Sequence, residues 1–455
     1  MAKPDRNTFQ NRLNDLMQSI RQNILKGVYK PGDFLPAETA LADQFQLSKN
    51  SVRLVLEKLV EDGLIHKIPR VGTQVAARPQ QAAVRFGVYP SLYEEANIGQ
   101  LIERFQEEHP HIRIEPLKLP YFQAESVNQL LQSGIVDVIT LNHTDYLHFR
   151  ENDNLHALEL YPKPQETYPF LNELFATGDD QVAVRPFIFS PVILCYNKEH
   201  FRQCRLFEPD SSWDWNDLRE ALVKVSSANR FGLFFHLSSY TRWPILFLQN
   251  GAEFLRDGNG RLSIGDPEMM GLLRFIRELI HEDGLFPLVM SFGEHDAEKL
   301  FKQQKASVIL TTYYRLNQLI GADFPFDIAQ LPKSRTRDTL LLATGIAVGT
   351  MSARKEEARC FADYLLSEQS QSFIRRQSFS LPANKWITES EQPELPNKPA
   401  RLELHRELIP HYASLDRLKL SFDEIQVLGG CLGQYFSRLV DEEGLIRLFN
   451  KQLTV

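Results

Sequence analysis

Cysteine is scarce in this 455-residue chain: Cys195, Cys204, Cys360 and Cys431 are all there is, and they lack the short spacings of a metal site. The thiols therefore read as reduced, buried residues, with no disulfide framework. No apolar run approaches the roughly 20 residues of a membrane span, and the start, MAKPDRNTFQNRLNDL, has no apolar h-region of a signal peptide. A cytoplasmic location without a membrane partner is expected. Catalytic signatures are missing as well. There is no Gly-x-Ser-x-Gly elbow, no His-Glu-x-x-His pair and no Gly-rich phosphate loop, and His109, His111, His143, His148 and His156 are scattered. Neither an enzyme, a metal nor a cofactor is expected, and no internal repeat or low-complexity tract is present.

What is present is length and pattern. The chain has room for about three domains, and its 43% apolar content is enough to build large cores. Phe9, Leu13, Leu16, Ile20 and Ile24 form one apolar helical stripe, closed by Gly27 where a left-handed C-cap belongs. Pro36, Ala37 and Glu38 suit the first turn of a second helix running to Phe45. After a turn at Gln46 and Leu47, Ser48 is placed to cap a third helix whose buried stripe is Val52, Val55, Leu56 and Leu59, ending near Gly63. Lys49, Asn50 and Arg53 fall off that stripe. They make a basic, donor-rich face of the kind that meets base edges and phosphates in a major groove. Leu64 to Ile68 and Thr73 to Val75 read as a hairpin with Arg70 at its tip. Residues 1–78 carry 12 Lys+Arg against 8 Asp+Glu, whereas the remainder is net −11. Such a chain touches polyanions with one module rather than all over.

This stretch resembles the GntR family of bacterial transcription regulators. Pro31-Gly32-Asp33, Leu35-Pro36-Ala37-Glu38, Leu41-Ala42, Leu47-Ser48, Ser51-Val52-Arg53, Gly63-Leu64-Ile65 and Gly72-Thr73 follow the family pattern in order and spacing. The resemblance implies a winged helix-turn-helix, mainly α with a small β wing, that contacts double-stranded operator DNA through Thr39, Ser48, Lys49, Asn50, Ser51, Arg53, Arg70, Gly72 and Thr73. Two positions depart from the family. Thr39 stands where an Arg is usual, and Arg70 where the wing tip is often Gly, which puts a cation near a minor groove.

From Ala76 to Ala83 no periodic apolar pattern occurs, and a linker is assigned to 79–83. Beyond it the pattern alternates: a strand over Val84–Tyr89, a helix over Gly99–Glu108, a strand over Ile112–Leu119, a helix over Ser126–Ser133 and a strand over Val136–Leu141. That alternation predicts an α/β layer structure with parallel strands and ligand contacts at their carboxyl ends, in the loops starting at Tyr89 and Asn142. Seven segments in order, among them Leu101-Ile102-Glu103-Arg104-Phe105, Tyr196-Asn197-Lys198 and Trp213-Asp214-Trp215, make residues 84–455 resemble the family 1 solute-binding proteins that serve transporters. The resemblance implies an α/β two-lobed periplasmic-binding-protein-like (type II) domain with crossovers near 184–191 and 331–345, hinging shut on its ligand. Helices are expected over 400–455, with Ile425, Leu428, Leu432, Tyr435, Phe436 and Leu439 forming one apolar face that packs on a lobe or mediates a dimer, the lobe being preferred.

The same resemblance points to a sugar or oligosaccharide and makes Tyr240, Trp243 and Tyr313 candidate stacking residues. Tyr93, Asn142 and Asp145 follow strands of the first lobe, and Ser190 and Thr344 border the crossovers. The competing reading is that the aromatics are core, as aromatics often are, and that Asp145 caps a helix. Taken together, the sequence describes a ligand-responsive DNA-binding regulator acting as a homodimer. The alternatives are a GntR head fused to a pyridoxal-phosphate enzyme-like domain and a transporter-linked solute receptor. The first lacks the expected basic-Pro-Gly strand, since the sole Pro-Gly is Pro31-Gly32; the winged helix argues against the second.

Overall fold

The computed structural model describes residues 6–25, 27–76, 82–178, 180–237, 239–251, 254, 256, 262, 264, 267–287, 296–391 and 394–452. The stretch 77–81, which contains part of the expected linker, lies outside them.

The N-terminal unit is three helices and a hairpin: α1 (Arg6–Leu25), α2 (Glu38–Phe45), α3 (Lys49–Glu61), β1 (Ile65–Ile68) and β2 (Gly72–Val75). Leu16, Ile20, Ile24, Leu41, Val52, Leu56 and Leu59 meet in one core, while the side chain of Phe9 lies outside the described residues. Gly27 takes φ 71° and donates its N–H to Ile24 O, and left-handed Gln46 ends α2, so both expected breaks are real. The strands pair antiparallel with Ile68 opposite Gly72, and Arg70 sits at the tip with φ 64°. Phe34 bridges to Gln74, and its ring lies 3.3 Å from where a Cβ on Gly72 would stand, so the wing is pinned to the loop before α2.

The rest of the chain is built around one ten-stranded sheet. Its strands are β3 (Ala82–Val88), β4 (Ile112–Lys118), β5 (Val138–Asn142), β6 (Arg185–Asn197), β7 (Phe231–Phe234), β8 (Ala306–Thr312), β9 (Phe326–Ala329) and β10 (Thr339–Val348), with two short strands at the margins. The main path is β4-β3-β5-β10-β6-β8-β7, and β9 pairs with β6. β3 begins at Ala82, inside the expected linker. The expected parallel pairing holds for β4-β3-β5 and for β7-β8, and fails for β10 and β6, which run antiparallel to their neighbours. The reason is topological, because these two long strands carry the chain between lobes. Residues 185–191 of β6 pair with β10, and residues 192–197 pair with β8 and β9. A register shift falls between Thr344 and Gly345 of β10.

The C-terminal helix Phe422–Phe436 buries Ile425, Leu428, Leu432, Tyr435 and Phe436 against this core. Leu439 departs from the expected face: it lies beyond the helix end and is 74% exposed. The N-terminal unit touches the first lobe through Lys58 Nζ, 3.2 Å from Glu356 Oε1. No helix among the described residues is long and apolar enough to cross a membrane.

Buried histidines, His200 and His405 among them, set an acid limit on this fold. His200, beside Ser307 Oγ at 3.1 Å, is pushed down to about 4 by burial and then by Arg230, and His405 to about 3 by burial and then by Arg375. An unfolded histidine titrates near about 6.5, so between that pH and the folded values the unfolded chain binds more protons and stability rises with pH. The contribution is complete above about pH 6.5 and is lost on acidification. Urea melts should show roughly 2 kcal/mol lost per histidine at pH 5 relative to pH 7.5, and His200→Gln should reduce that slope.

Candidate DNA-reading face and solute cleft

The first candidate site is the exposed N-terminal turn of α3. Ser48 caps it, its Oγ accepting from Ser51 N at 3.1 Å and lying 2.7 Å from Ser51 Oγ. Thr39, Ser48, Lys49, Asn50, Arg53, Arg70 and Gly72 are exposed and Thr73 is half-buried, so this predicted set is accessible. Ser51 does not belong to it. Its side chain is buried and serves the cap, because its position on the helix faces the core. Arg53 carries a feature the sequence did not reveal: its Nε donates to Glu38 Oε2 at 2.7 Å, tying the candidate reading side chain to the first turn of α2.

The second is a cleft of about 420 Å³ between the lobes. Its first wall comes from loops at the carboxyl ends of β3, β4 and β5: Tyr89 and Ser91, Tyr121 and Phe122, and Asn142, His143 and Thr144. Thr241, Arg242, Thr312, Tyr314 and Arg315 form the opposite wall, and Leu341–Thr344 of β10 form the floor. Tyr121 stacks on Tyr89, centroids 4.6 Å apart and planes 10° apart, and donates to Ser91 Oγ. Tyr89 OH donates to Asp145 Oδ2 at 2.5 Å, and Asn142 Nδ2 donates to the same oxygen at 2.8 Å. Burial pushes both the Asp145 carboxyl and the Tyr89 phenol up. Phe122 sits in the left-handed region, φ 57°, an uncommon state for a bulky residue. Its ring meets the edge of Tyr240 from the other lobe at 5.1 Å and faces Phe422 at 6.3 Å.

Of the predicted ligand residues, the structure brings Asn142 and Thr344 to the cleft wall. Asp145 lies one layer behind, where its backbone N–H is capped by Asn142 Oδ1 at 2.8 Å. Tyr240 stands half-buried at the inter-lobe contact with Phe122. The other four are placed elsewhere. Tyr313 is fully buried, its OH donating to Leu402 O at 2.9 Å, because the first turn after β8 aims the next residue, Tyr314, at the cleft instead. Ser190 is buried as a strut that accepts from Tyr313 N at 2.8 Å and donates to Pro191 O. Trp243 is 1% exposed and packs edge-on against Phe247, since Pro244 starts a wholly buried helix there. Tyr93 is exposed beside Gly99, outside the cleft lining. Sequence reasoning missed Tyr121, Phe122 and His143, although all three follow strand ends in the manner that singled out Tyr89 and Asn142.

Gly345 links the cleft floor to the crossing strands. A Cβ there would stand 2.6 Å from Arg185 O and 2.6 Å from Val184 Cγ1. Gly345→Ala should therefore force β10 and β6 apart and cost about 1–3 kcal/mol, as overpacked cores do. A lowered urea midpoint measures it.

Comparison with known proteins bears on the two units rather than on individual site residues. The family described as "Bacterial regulatory proteins, gntR family" matches residues 13–75, and "Bacterial extracellular solute-binding protein" matches residues 89–372. The uncharacterized HTH-type transcriptional regulator YieP of Escherichia coli is 33% identical over 90 residues, 20% of this chain and 39% of that protein. A putative binding protein of Brucella abortus is 25% identical over 209 residues, 44% of this chain and 50% of that protein. The chain thus spans half or less of the length of these curated relatives. Among solved structures, maltose-bound MalE3 of T. maritima superposes with TM-score 0.70 at 17% identity, over 82% of this chain and 99% of that one, which is a likeness of fold.

Proposed function

The chain belongs to the bacterial extracellular solute-binding protein family and begins with a gntR-type helix-turn-helix, and from that premise we propose that it is a cytoplasmic, solute-responsive transcription regulator. Residues 1–78 bind the operator, 79–83 connect, and 84–455 sense a small solute without changing it. The observation that carries this reading is the coexistence, in one chain, of an exposed basic turn on α3 and an inter-lobe cleft at the carboxyl ends of strands.

The solute is a sugar or oligosaccharide. Support comes from the stacked Tyr121–Tyr89 pair and Phe122, which offer apolar ring surface among hydroxyl and amide groups, and from the maltose held by the MalE3 structure. Ligand favours the closed lobes over the open ones and so shifts their population. In a homodimer that shift alters the spacing of two DNA-reading heads. Ser48, Lys49, Asn50, Arg53, Arg70 and the Gly72–Thr73 edge of the wing are assigned to DNA, with Thr39 beside them. Asn142 and Thr344, with Tyr121 and Phe122, are assigned to the solute.

Two measurements test this. Arg53→Ala should weaken specific operator binding by about 1–3 kcal/mol if the guanidinium reads a base; an unchanged footprint rejects that role. Tyr121→Ala should lower sugar affinity in calorimetric titration while sparing operator binding by the sugar-free protein. Retained sugar affinity would place the stacking surface elsewhere.

A further inference from the structure

We propose that His143 reads a hydroxyl group of the solute as a neutral imidazole, and that the cleft therefore selects uncharged, polyhydroxylated solutes over their anionic relatives. The inference rests on the cleft being the solute site.

His143 opens the helix that follows β5, lines the cleft and is 4% exposed. Its ring is fixed by Tyr146, stacked at 6.3 Å, and by the edge of Phe175 at 5.9 Å. Among the described residues nothing hydrogen-bonds either ring nitrogen. An unpartnered imidazole packed on a cavity wall and open to the cavity has a polar atom free for a ligand, and one such hydrogen bond is worth about 0.5–1.5 kcal/mol.

The charge state follows from the surroundings. Burial pushes the imidazole down to about 4, outweighing Asp416, which attracts a proton, while Arg150 on its own helix repels one. Glu95, Arg242 and Arg315 face it from the rest of the cleft, and Asp145 lies two residues on. A neutral imidazole has one donor and one acceptor nitrogen, which matches a hydroxyl, itself both donor and acceptor. A carboxylate or phosphate only accepts, so it can use the N–H alone, and a neutral ring gives it none of the charge assistance an imidazolium would. Asn142, Thr144 and Thr344 on the same walls are neutral groups of the same dual character.

The test uses the full chain and named probes: glucose, maltose, cellobiose and trehalose against glucuronate and glucose 6-phosphate. At least one neutral sugar should raise the melting temperature of the wild type, and neither charged sugar should match it. His143→Ala and His143→Phe should lose about tenfold in affinity for that sugar, the scale of one hydrogen bond. His143→Asn, which keeps one donor and one acceptor, should recover part of the loss. Wild-type affinity should stay flat from pH 8 to 6, and diethyl pyrocarbonate should modify His143 in the free protein but not in the sugar complex. Equal affinity in His143→Ala, preference for the charged sugars, affinity rising on acidification, or a His143 that the reagent never reaches would each overturn the proposal. If none of the six sugars binds, the sugar reading itself fails and this inference falls with it, an outcome distinguishable from intact binding by the variants.

Discussion

The antiparallel pairing of β6 with β10 is the constraint on which the rest of the two-lobed unit depends. These two strands join the lobes into one sheet, and the residues from Leu341 to Thr344 that make the pairing also make the cleft floor. Backbone hydrogen bonds are short-ranged and directional, so the pairing resists sliding and yields more readily to twist and bend. Hinge closure about two adjacent strands is the motion such a join permits. The ring contact of Phe122 with Tyr240 lies across the gap between the lobes.

The N-terminal unit depends on a smaller set of ties. Ser48 and Ser51 fix where α3 begins, and the Phe34–Gln74 bridge fixes the wing against the loop before α2. The Arg53–Glu38 pair is exposed at the arginine and half-buried at the glutamate, and surface pairs of this kind contribute only about 0–1 kcal/mol to stability. Its effect is on geometry, because it holds the guanidinium near the start of α2 until a stronger acceptor competes.

Much of this was legible in the sequence because local rules decide it. Gly27, Ser48 and the Val52–Leu59 stripe mark the helix ends and core of the head, and the apolar alternation from Val84 to Leu141 marks the first lobe to within a few residues. The antiparallel crossing strands were less legible, since a run such as Phe187–Tyr196 is apolar whichever way its neighbour runs. Side-chain direction at the cleft was least legible. Tyr313 and Tyr314 are adjacent and identical, and only the turn after β8 decides that the second faces the cavity while the first donates to Leu402 O. Trp243 was diverted by its neighbour Pro244, which begins a buried helix. His143 carries only the weak signal of following a strand end, which does not say whether its ring faces the core or the cleft.

The register shift in β10 has a consequence for how such a sensor can change over evolutionary time. Thr344 touches the cleft and Gly345 touches the backbone of β6, and the shift falls between them. On the proposed function, recognition and stiffness would thus be written into neighbouring codons, and a substitution that reshapes the floor for a new solute would also disturb the strand pairing that joins the lobes. Under the same reading, solute preference is freer to drift at Tyr121 and Thr312, which lie on a loop and at a strand end away from the shift, than at His143, which follows Asn142, the strand partner of Thr344.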